Sequence, residues 1–274
     1  MLVLYDNPFS PFTRKVRMVL HHKALPFRSV DGLALDELPT LRKLSCRAEV
    51  PVLVDGDVIV VDSPDIVAYV DDLQQSPPIL QASASRRAKA RRWHRMADRS
   101  FDAILHDLSI FVWPTHHRTD QPPPGLIEAG QRDLWTLLDE LEIDLGAGPY
   151  ICGDEPSIAD FAVFPHIPSL RFVGISVNQE RLPRVFTWQR RMRDLSVVQK
   201  DLEVARRGLV EKFRDGRSPY EAETIIWRRD RIEWLLCNGF DAWWASERAS
   251  GRAVVPSSVA SAVGLAGPGG PTRC

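Results

Sequence analysis

Ser10, which precedes Pro11, combines a hydroxyl group with the expected start of a helix. Proline is favoured in the first turn of a helix, where the backbone N–H groups have no partner within the helix. These N–H groups and the helix dipole favour a negative charge, and a thiolate is one such anion. An isolated Ser-Pro pair is most often an ordinary helix cap, so the neighbouring motifs decide the interpretation.

Two dipeptides further along the chain offer groups that suit an amino-acid ligand. The sequence predicts a cis bond between Val50 and Pro51, because a trans proline fits poorly in a central strand. Such a bond leaves the amide and carbonyl of Val50 free to pair with an extended, peptide-like ligand. Asp62 offers a carboxylate for an ammonium group, and Ser63 lies at an expected helix start that favours a carboxylate. Together these motifs fit an amino-acid head group.

The elements that must position these motifs alternate between strand and helix patterns. Short apolar runs alternate with amphipathic helical patterns, and an Asp-Gly turn joins two β-branched runs into a hairpin. The predicted elements are strand Leu2–Tyr5, a helix from Ser10, strand Phe27–Val30, helix Leu35–Leu44, a hairpin at Val52–Val60 and a helix from Ser63. The predicted order is βαβαββα.

Beyond this α/β domain the sequence predicts a linker and then helices. The stretch from Gln74 to Ala84 is rich in Gln, Ser, Pro and Ala, and strand patterns are absent after it. The predicted organisation is an α/β domain at 1–75, a linker at 76–85, an all-helical domain at 86–215, an extra C-terminal helix at 216–250 and a mobile tail at 251–274.

The order and spacing of these motifs resemble the glutathione transferase family. The matching motifs are Ser10-Pro11-Phe12, Val50-Pro51, Asp62-Ser63 and the segment Gly153–Asp160. The first is similar to the serine motif of the tau and theta-like branches, and the last is similar to the helix-capping motif of the family. The resemblance covers about residues 1–200. It implies a thioredoxin-like N-terminal domain followed by an all-α domain.

The resemblance also implies a role for each matching residue. The hydroxyl of Ser10 would stabilise the glutathione thiolate, and no histidine base is required. Six residues would bind glutathione, which is a substrate or cosubstrate: Phe12, Lys43, Val50, Pro51, Asp62 and Ser63. Lys43 is the candidate for the basic residue that binds the glycyl carboxylate of glutathione, and Arg42 and Arg47 are alternatives. Asp62 replaces the commoner Glu or Gln of the family.

Other activating groups known in this family are a tyrosine near the end of the first strand and a cysteine at the helix start. Tyr5 is the tyrosine candidate, but an aromatic residue on a buried strand usually serves packing. Neither Ser10 nor Thr13 is a cysteine, which argues against dithiol exchange and against the cysteine-based branches.

An electrophile pocket is expected next to the sulfur, on the helices that carry residues 107–117. Phe111, Trp113 and His116 offer apolar and aromatic surface there, although Phe111 and Trp113 are more often core residues. His116 and His117 are adjacent and lack the i, i+4 spacing of a helical metal site, so no metal is expected.

Composition limits the classes of partner. The chain has 274 residues and a net charge of −1, so no overall field attracts nucleic acid or an anionic membrane. The four cysteines form neither a disulfide framework nor a zinc motif, which is typical of a reducing compartment. The basic run between Arg86 and Arg95 is interpreted as a solvated helix face or the rim of a dimer interface. A cytoplasmic location is therefore expected, with no membrane span.

The resemblance implies an enzyme that activates glutathione for attack on a small hydrophobic electrophile, with a role in detoxification, and that forms a homodimer. Conjugation, dehalogenation, ether cleavage and isomerisation remain alternatives, because one fold hosts many reactions. A second hypothesis from another class is a non-catalytic protein-interaction module with the same fold.

The C-terminal extension begins near Arg214 and is patterned in its first part. Apolar residues recur there at helical spacing: Ile225, Ile232, Leu235, Leu236, Trp243 and Trp244. A helix with one apolar face must bury that face. The sequence leaves two options open, a packing strut on the helical domain and a lid over the electrophile pocket.

Overall fold

The computed structural model divides the chain into two compact units. The described residues are 1–45, 47–112, 121–214, 225–226 and 229–255. The first unit comprises Met1–Ile79 and Ser196–Tyr220, and the second comprises Leu80–Leu195 and Glu221–Val255, as far as these ranges are described. Among the described helices, none is both long enough and apolar enough to cross a membrane.

The first unit contains a four-stranded sheet with helices. Its strands are β1 (Leu2–Asp6), β2 (Phe27–Asp31), β3 (Val52–Asp55) and β4 (Val58–Val61), in the order β2-β1-β3-β4. Its first three helices are α1 (Pro11–His22), α2 (Leu38–Leu44) and α3 (Ser63–Leu73). Strand β1 is parallel to β2 and antiparallel to β3, and β3 is antiparallel to β4. The predicted order βαβαββα is confirmed.

The core of this unit follows from the apolar periodicity of its elements. Strand β1 alternates buried and half-buried residues, so Leu4 and Tyr5 point to opposite faces of the sheet. Helix α1 buries Val16, Val19 and Leu20, and it packs with α3. The side chain of Tyr5 lies on the half-exposed face, near Gly32.

The second unit is built mainly of helices. They are α4 (Ala84–Met96), a π-helical turn (Ala97–Phe101), α5 (Asp102–Val112), α6 (Leu126–Leu145), α7 (Ile158–Val163), a 3₁₀ helix (Phe164–Val173) and α8 (Pro183–Asp194). The predicted capping box at the start of α7 is confirmed, because Ser157 and Asp160 exchange hydrogen bonds.

Helix α9 (Ser196–Lys212) differs from the sequence prediction, which placed residues up to 215 in the helical domain. In the structure α9 belongs to the first unit and packs on α1. The reason is a buried charge: Asp201 of α9 is 0% exposed and forms ion pairs with Arg14 and Arg17 of α1.

The extension contains two helices where one was expected. They are α10 (Arg229–Cys237) and α11 (Asp241–Ala249), and Gly239 adopts a φ of 78° between them. A glycine in the left-handed region is a common helix stop, and the Asn238-Gly239 pair is its signal in the sequence.

The extension also contains a strand pair that the sequence did not predict, β5 (Ile225–Ile226) and β6 (Ala253–Val254), which are parallel. Two-residue strands leave no periodic pattern. At the start of the segment expected to be a mobile tail, Ala253 is buried and Arg252 pairs with Glu247 at 2.8 Å. Residues 256–274 of that prediction lie outside the described part of the chain.

Several contacts fasten α10 within the second unit. Leu235 is buried, as the helical pattern predicted, whereas Leu236 of the same pattern is exposed. Arg231 forms an ion pair with Asp102 of α5 at 2.9 Å, and the indole N–H of Trp234 donates to Asp133 of α6. These contacts support the strut option for the first part of the extension.

Candidate functional site

The strand register brings the three sequence motifs to one edge of the sheet. Tyr5 of β1 pairs with Val52 of β3, and Val52 pairs in turn with Val61 of β4. The loop after β1, the loop before β3 and the turn after β4 therefore leave the sheet side by side. These connections carry Ser10, Val50-Pro51 and Asp62-Ser63.

Ser10 is the residue directly before α1, at its N-cap position, with φ −64° and ψ 121°. Its hydroxyl makes no capping bond to the helix and no hydrogen bond to any residue that the structure describes. The hydroxyl of Thr13 binds the loop instead, donating to the carbonyl of Asn7 at 2.7 Å and to that of Ser10 at 3.0 Å. The Ser10 hydroxyl is half-exposed at a helix N-terminus and free to bind an anion.

The Val50–Pro51 peptide bond is cis, as the sequence predicted. Val50 is half-buried and precedes the first residue of β3, so it lies outside the sheet ladder. Its backbone makes no hydrogen bond to another described residue. The N–H and the carbonyl of Val50 are thus available to a ligand.

Asp62 has an unusual backbone conformation, with φ 67° and ψ 125°. A positive φ at a residue other than glycine costs of the order of 1–3 kcal/mol, and such residues cluster at functional sites. Its carbonyl accepts the N–H of Ile66 at 2.9 Å, while its exposed carboxylate has no partner among the described residues. Ser63, the first residue of α3, is 4% exposed. This turn therefore presents a free carboxylate next to a helix N-terminus.

The basic candidates differ in their partners. Arg47 forms an ion pair with Glu49 at 3.0 Å, which offsets its charge. Lys43 and Arg42 are exposed on α2 and form no ion pair within the described part of the chain. Among the three basic candidates, Lys43 and Arg42 therefore have charges that no described residue offsets.

Two aromatic candidates lie within the fold. Phe12, in the first turn of α1, is buried, and the ammonium of Lys15 lies 5.6 Å from its ring centroid. Tyr5 is half-buried in β1, where it pairs with Val30 on one side and Val52 on the other. Tyr5 is therefore held in the sheet by strand neighbours on both sides, and its packing role stays a prediction.

A buried charge network, which the sequence did not reveal, lies behind the Ser10 loop. Arg17 donates to both carboxylate oxygens of Asp6, at 2.7 and 2.8 Å, and to Asp201 at 2.7 Å. Burial opposes the charge on Arg17, but Asp6 and Asp201 more than offset this, so the pKa of Arg17 lies above its usual value. No local pattern identifies Asp201 as the partner, because it follows Arg17 by 184 positions.

The expected electrophile pocket is described only in part. Trp113 and His116 lie outside the described residues, as does His117. Phe111 is half-buried at the end of α5, and its ring centroid lies 6.2 Å from that of Trp243 in α11. The extension therefore contributes an aromatic side chain next to Phe111 within the second unit.

Asp107, one turn before Phe111 on α5, is a buried carboxylic acid. It is 1% exposed, and neither carboxylate oxygen has a hydrogen-bond partner among the described residues. Burial raises the pKa of Asp107 well above its usual value, and the positive charge of Arg231 opposes this only in part. A buried polar group without a partner destabilises the fold.

This cost predicts that Asp107→Leu will stabilise the protein at neutral pH. The folded state retains a proton on Asp107 that the unfolded state releases, so folding stability falls as pH rises from the usual value of 3.8 towards the raised pKa. We expect Asp107→Leu to raise the free energy of unfolding by about 1–3 kcal/mol at pH ~7 and by less at pH ~5. Urea titrations at both pH values measure this, and a variant less stable at both would contradict the prediction.

Two family models match the chain. Residues 4–78 match the glutathione S-transferase N-terminal domain, and residues 124–191 match the glutathione S-transferase C-terminal domain. The chain belongs to the glutathione S-transferase family. The fold class expected from the sequence, a thioredoxin-like domain followed by an all-α domain, is thereby confirmed.

Several known proteins resemble this chain over more than half of its length. Glutathione S-transferase U19 of Arabidopsis thaliana is 27% identical over 207 residues, covering 73% of this chain and 89% of the relative. FtsZ-localized protein A of Caulobacter vibrioides is 25% identical over 177 residues, covering 62% and 78%. The structure of the β-etherase LigF from Sphingobium sp. strain SYK-6 superposes with a TM-score of 0.66 at 21% identity, covering 74% and 98%. This last likeness concerns the fold.

Proposed function

We propose that this protein is a glutathione transferase in which the Ser10 hydroxyl donates a hydrogen bond to the glutathione thiolate. The observation that carries the proposal is the free hydroxyl at the start of α1, at the same edge of the sheet as Val50 and Asp62. A hydroxyl used as a helix cap would not be available to the sulfur.

The energies involved are sufficient for this role. A free thiol has a pKa of about 8.5, so only a few per cent is ionised at neutral pH. Lowering that pKa by about two units requires about 2.7 kcal/mol of preferential stabilisation of the thiolate. A hydrogen bond to a charged acceptor contributes about 1.5–3 kcal/mol, and a helix N-terminus about 0.3–1 kcal/mol.

The rest of the glutathione molecule has a proposed partner at each motif. The carboxylate of Asp62 binds the ammonium of the γ-glutamyl group, and Ser63 at the start of α3 binds its carboxylate. The backbone of Val50, fixed by Pro51, pairs with the cysteinyl residue. Lys43 binds the glycyl carboxylate. Phe12 lies in the first turn of α1, two residues after Ser10, and forms part of the wall of the glutathione site.

The second substrate is proposed to be a small hydrophobic electrophile. The thiolate attacks an electrophilic carbon, a carbon–sulfur bond forms, and the leaving group departs with its electron pair. Phe111, with Trp113 and His116, is the proposed apolar surface for this substrate. Ethers are among the electrophiles to test, because ether cleavage is one of the reactions that the sequence leaves open. As the family implies, we propose a cytoplasmic homodimer with a role in detoxification.

Calorimetric titration with glutathione tests this proposal. We expect saturable binding, and an Asp62→Ala variant is expected to weaken it about tenfold or more, because the ammonium loses its carboxylate partner. Asp57→Ala, in the hairpin turn between β3 and β4, is the matched control and should bind like the unmodified protein. Absence of binding by the unmodified protein would reject the proposal.

A second candidate function is a protein-interaction module. The observation that favours it is the similarity to FtsZ-localized protein A, whose name places that protein with FtsZ. Under this alternative the protein would show no glutathione-dependent turnover with any electrophile. The free hydroxyl of Ser10 and the free carboxylate of Asp62 instead favour the transferase.

A further inference from the structure

Helix α9 makes a close steric contact with the loop that presents Ser10. A Cβ atom added at Gly208 would lie 2.8 Å from both Cβ and Cγ of Pro8 and 3.4 Å from Cζ of Phe9. The ring of Phe213, just after α9, lies 5.8 Å from the ring of Phe9. The backbone of α9 therefore lies directly against residues 8 and 9.

An ionic contact joins the same helix to the start of the loop. Asp201 accepts hydrogen bonds from Arg14 at 2.9 Å and from Arg17 at 2.7 Å. The guanidinium of Arg17 also donates to the carboxylate of Asp6 and, at 3.4 Å, to the carbonyl of Pro8. Arg17, Asp6 and Asp201 are almost fully buried, so solvent screens the attraction between their charges little.

A third connection runs through Lys212 at the end of α9. Lys212 forms an ion pair with Asp31, and Asp31 accepts a hydrogen bond from the side-chain amide of Asn7 at 3.3 Å. The side-chain oxygen of Asn7 in turn accepts the backbone N–H of Phe9 at 3.0 Å. Asp6, the last residue of β1, and the loop residues up to Phe9 thus each contact α9, directly or through one intermediate side chain.

We propose that α9 is the element that positions Ser10 for thiolate binding, with Asp201, Gly208 and Lys212 as positioning residues. The inference rests on the proposed function of Ser10. It extends the site beyond residues 124–191, where the match to the C-terminal domain ends. A donor that is displaced by about 1 Å loses much of its effect on a developing charge, so a hydroxyl on a loop needs such support.

Gly208→Ala tests the steric contact. Alanine ordinarily stabilises a helix relative to glycine, so a functional loss must come from the close approach of α9 to Pro8. We expect kcat for glutathione-dependent turnover to fall about tenfold and KM for glutathione to change little. The acidic limb of the pH profile of kcat should move to higher pH. Gly130→Ala is the matched control, since its Cβ would lie 2.5 Å from Leu108 in the second unit. It should affect stability but not this pH profile.

A second readout does not require glutathione. The thiol introduced by Ser10→Cys lies at a helix N-terminus, so its pKa should be below the ordinary value of ~8.5. Adding Gly208→Ala should raise that pKa and slow alkylation by iodoacetamide at pH ~6.5 about fivefold, measured by mass spectrometry of the peptide that carries position 10. Adding Gly130→Ala should leave the rate unchanged.

Lys212→Met is the milder variant if Gly208→Ala does not fold, because the ion pair of Lys212 with Asp31 is only partly buried, and it should change the thiol reactivity in the same direction. Unchanged reactivity in the folded variants would overturn the positioning role of α9, whatever the activity with glutathione. A changed reactivity in a protein that never ionises glutathione would support the positioning role and reject the proposed function.

Discussion

Replacing Ser10 by alanine is expected to lower kcat for glutathione-dependent turnover at pH ~7 about 10- to 100-fold. The reason is that Ser10 supplies a hydrogen bond that is much stronger to the thiolate than to the neutral thiol. A hydrogen bond to a charged acceptor contributes about 1.5–3 kcal/mol, which corresponds to a loss of this order in the thiolate population at neutral pH. The affinity for S-methylglutathione, which carries no ionisable thiol, should stay unchanged.

Steady-state kinetics with a small aryl halide and a separate calorimetric titration measure the two quantities. Tyr5→Phe is the control, because Tyr5 lies inside the sheet between Val30 and Val52 and should leave kcat unchanged. A variant Ser10→Ala that keeps its full kcat would assign the activation of the thiol to another group.

Replacing Asp160 by alanine is expected to have the largest effect on stability. The carboxylate is 0% exposed and accepts hydrogen bonds from the backbone of Ile151 at 3.0 Å and the indole of Trp188 at 2.8 Å. It also accepts the backbone N–H of Ser157 at 2.9 Å and its hydroxyl at 2.8 Å. The variant leaves several buried donors without a partner, and we expect a loss of about 3–5 kcal/mol.

Urea unfolding of the full chain measures this loss. Asp154→Ala, six positions earlier in the exposed segment before α7, is the matched control and should change stability by less than about 0.5 kcal/mol. Equal stability of the two variants would show that the capping box does not fasten α7 and α8 together.

The sequence predicted the elements whose signals are local. The Asp-Gly hairpin, the Ser-Pro helix starts and the capping box at Ser157 each occupy fewer than about ten consecutive residues, and each depends on backbone chemistry that neighbouring residues determine. The edge of the sheet that joins Ser10, Val50 and Asp62 follows from these elements once β1 pairs with β3. The candidate site was therefore largely predictable.

The role of α9 in holding the Ser10 loop was not predictable, because the residues that make these contacts are far apart in the sequence. Arg17 and Asp201 are 184 positions apart, and charged residues on an amphipathic helix ordinarily face solvent. Gly208 in α9 carries no local sign that Pro8 packs against it. The division of the extension into α10 and α11 did have a signal, the Asn238-Gly239 pair, but the apolar spacing across it favoured a single helix.

The pKa of glutathione's thiol in the bound state shows directly whether the Ser10 hydroxyl stabilises the thiolate. The ultraviolet absorbance of the thiolate is followed against pH in the unmodified protein, in Ser10→Ala and in Tyr5→Phe. The structure predicts a pKa about two units below that of the free thiol in the unmodified protein and in Tyr5→Phe, and a value near that of the free thiol in Ser10→Ala. An unchanged pKa in Ser10→Ala together with a raised pKa in Tyr5→Phe would contradict the account.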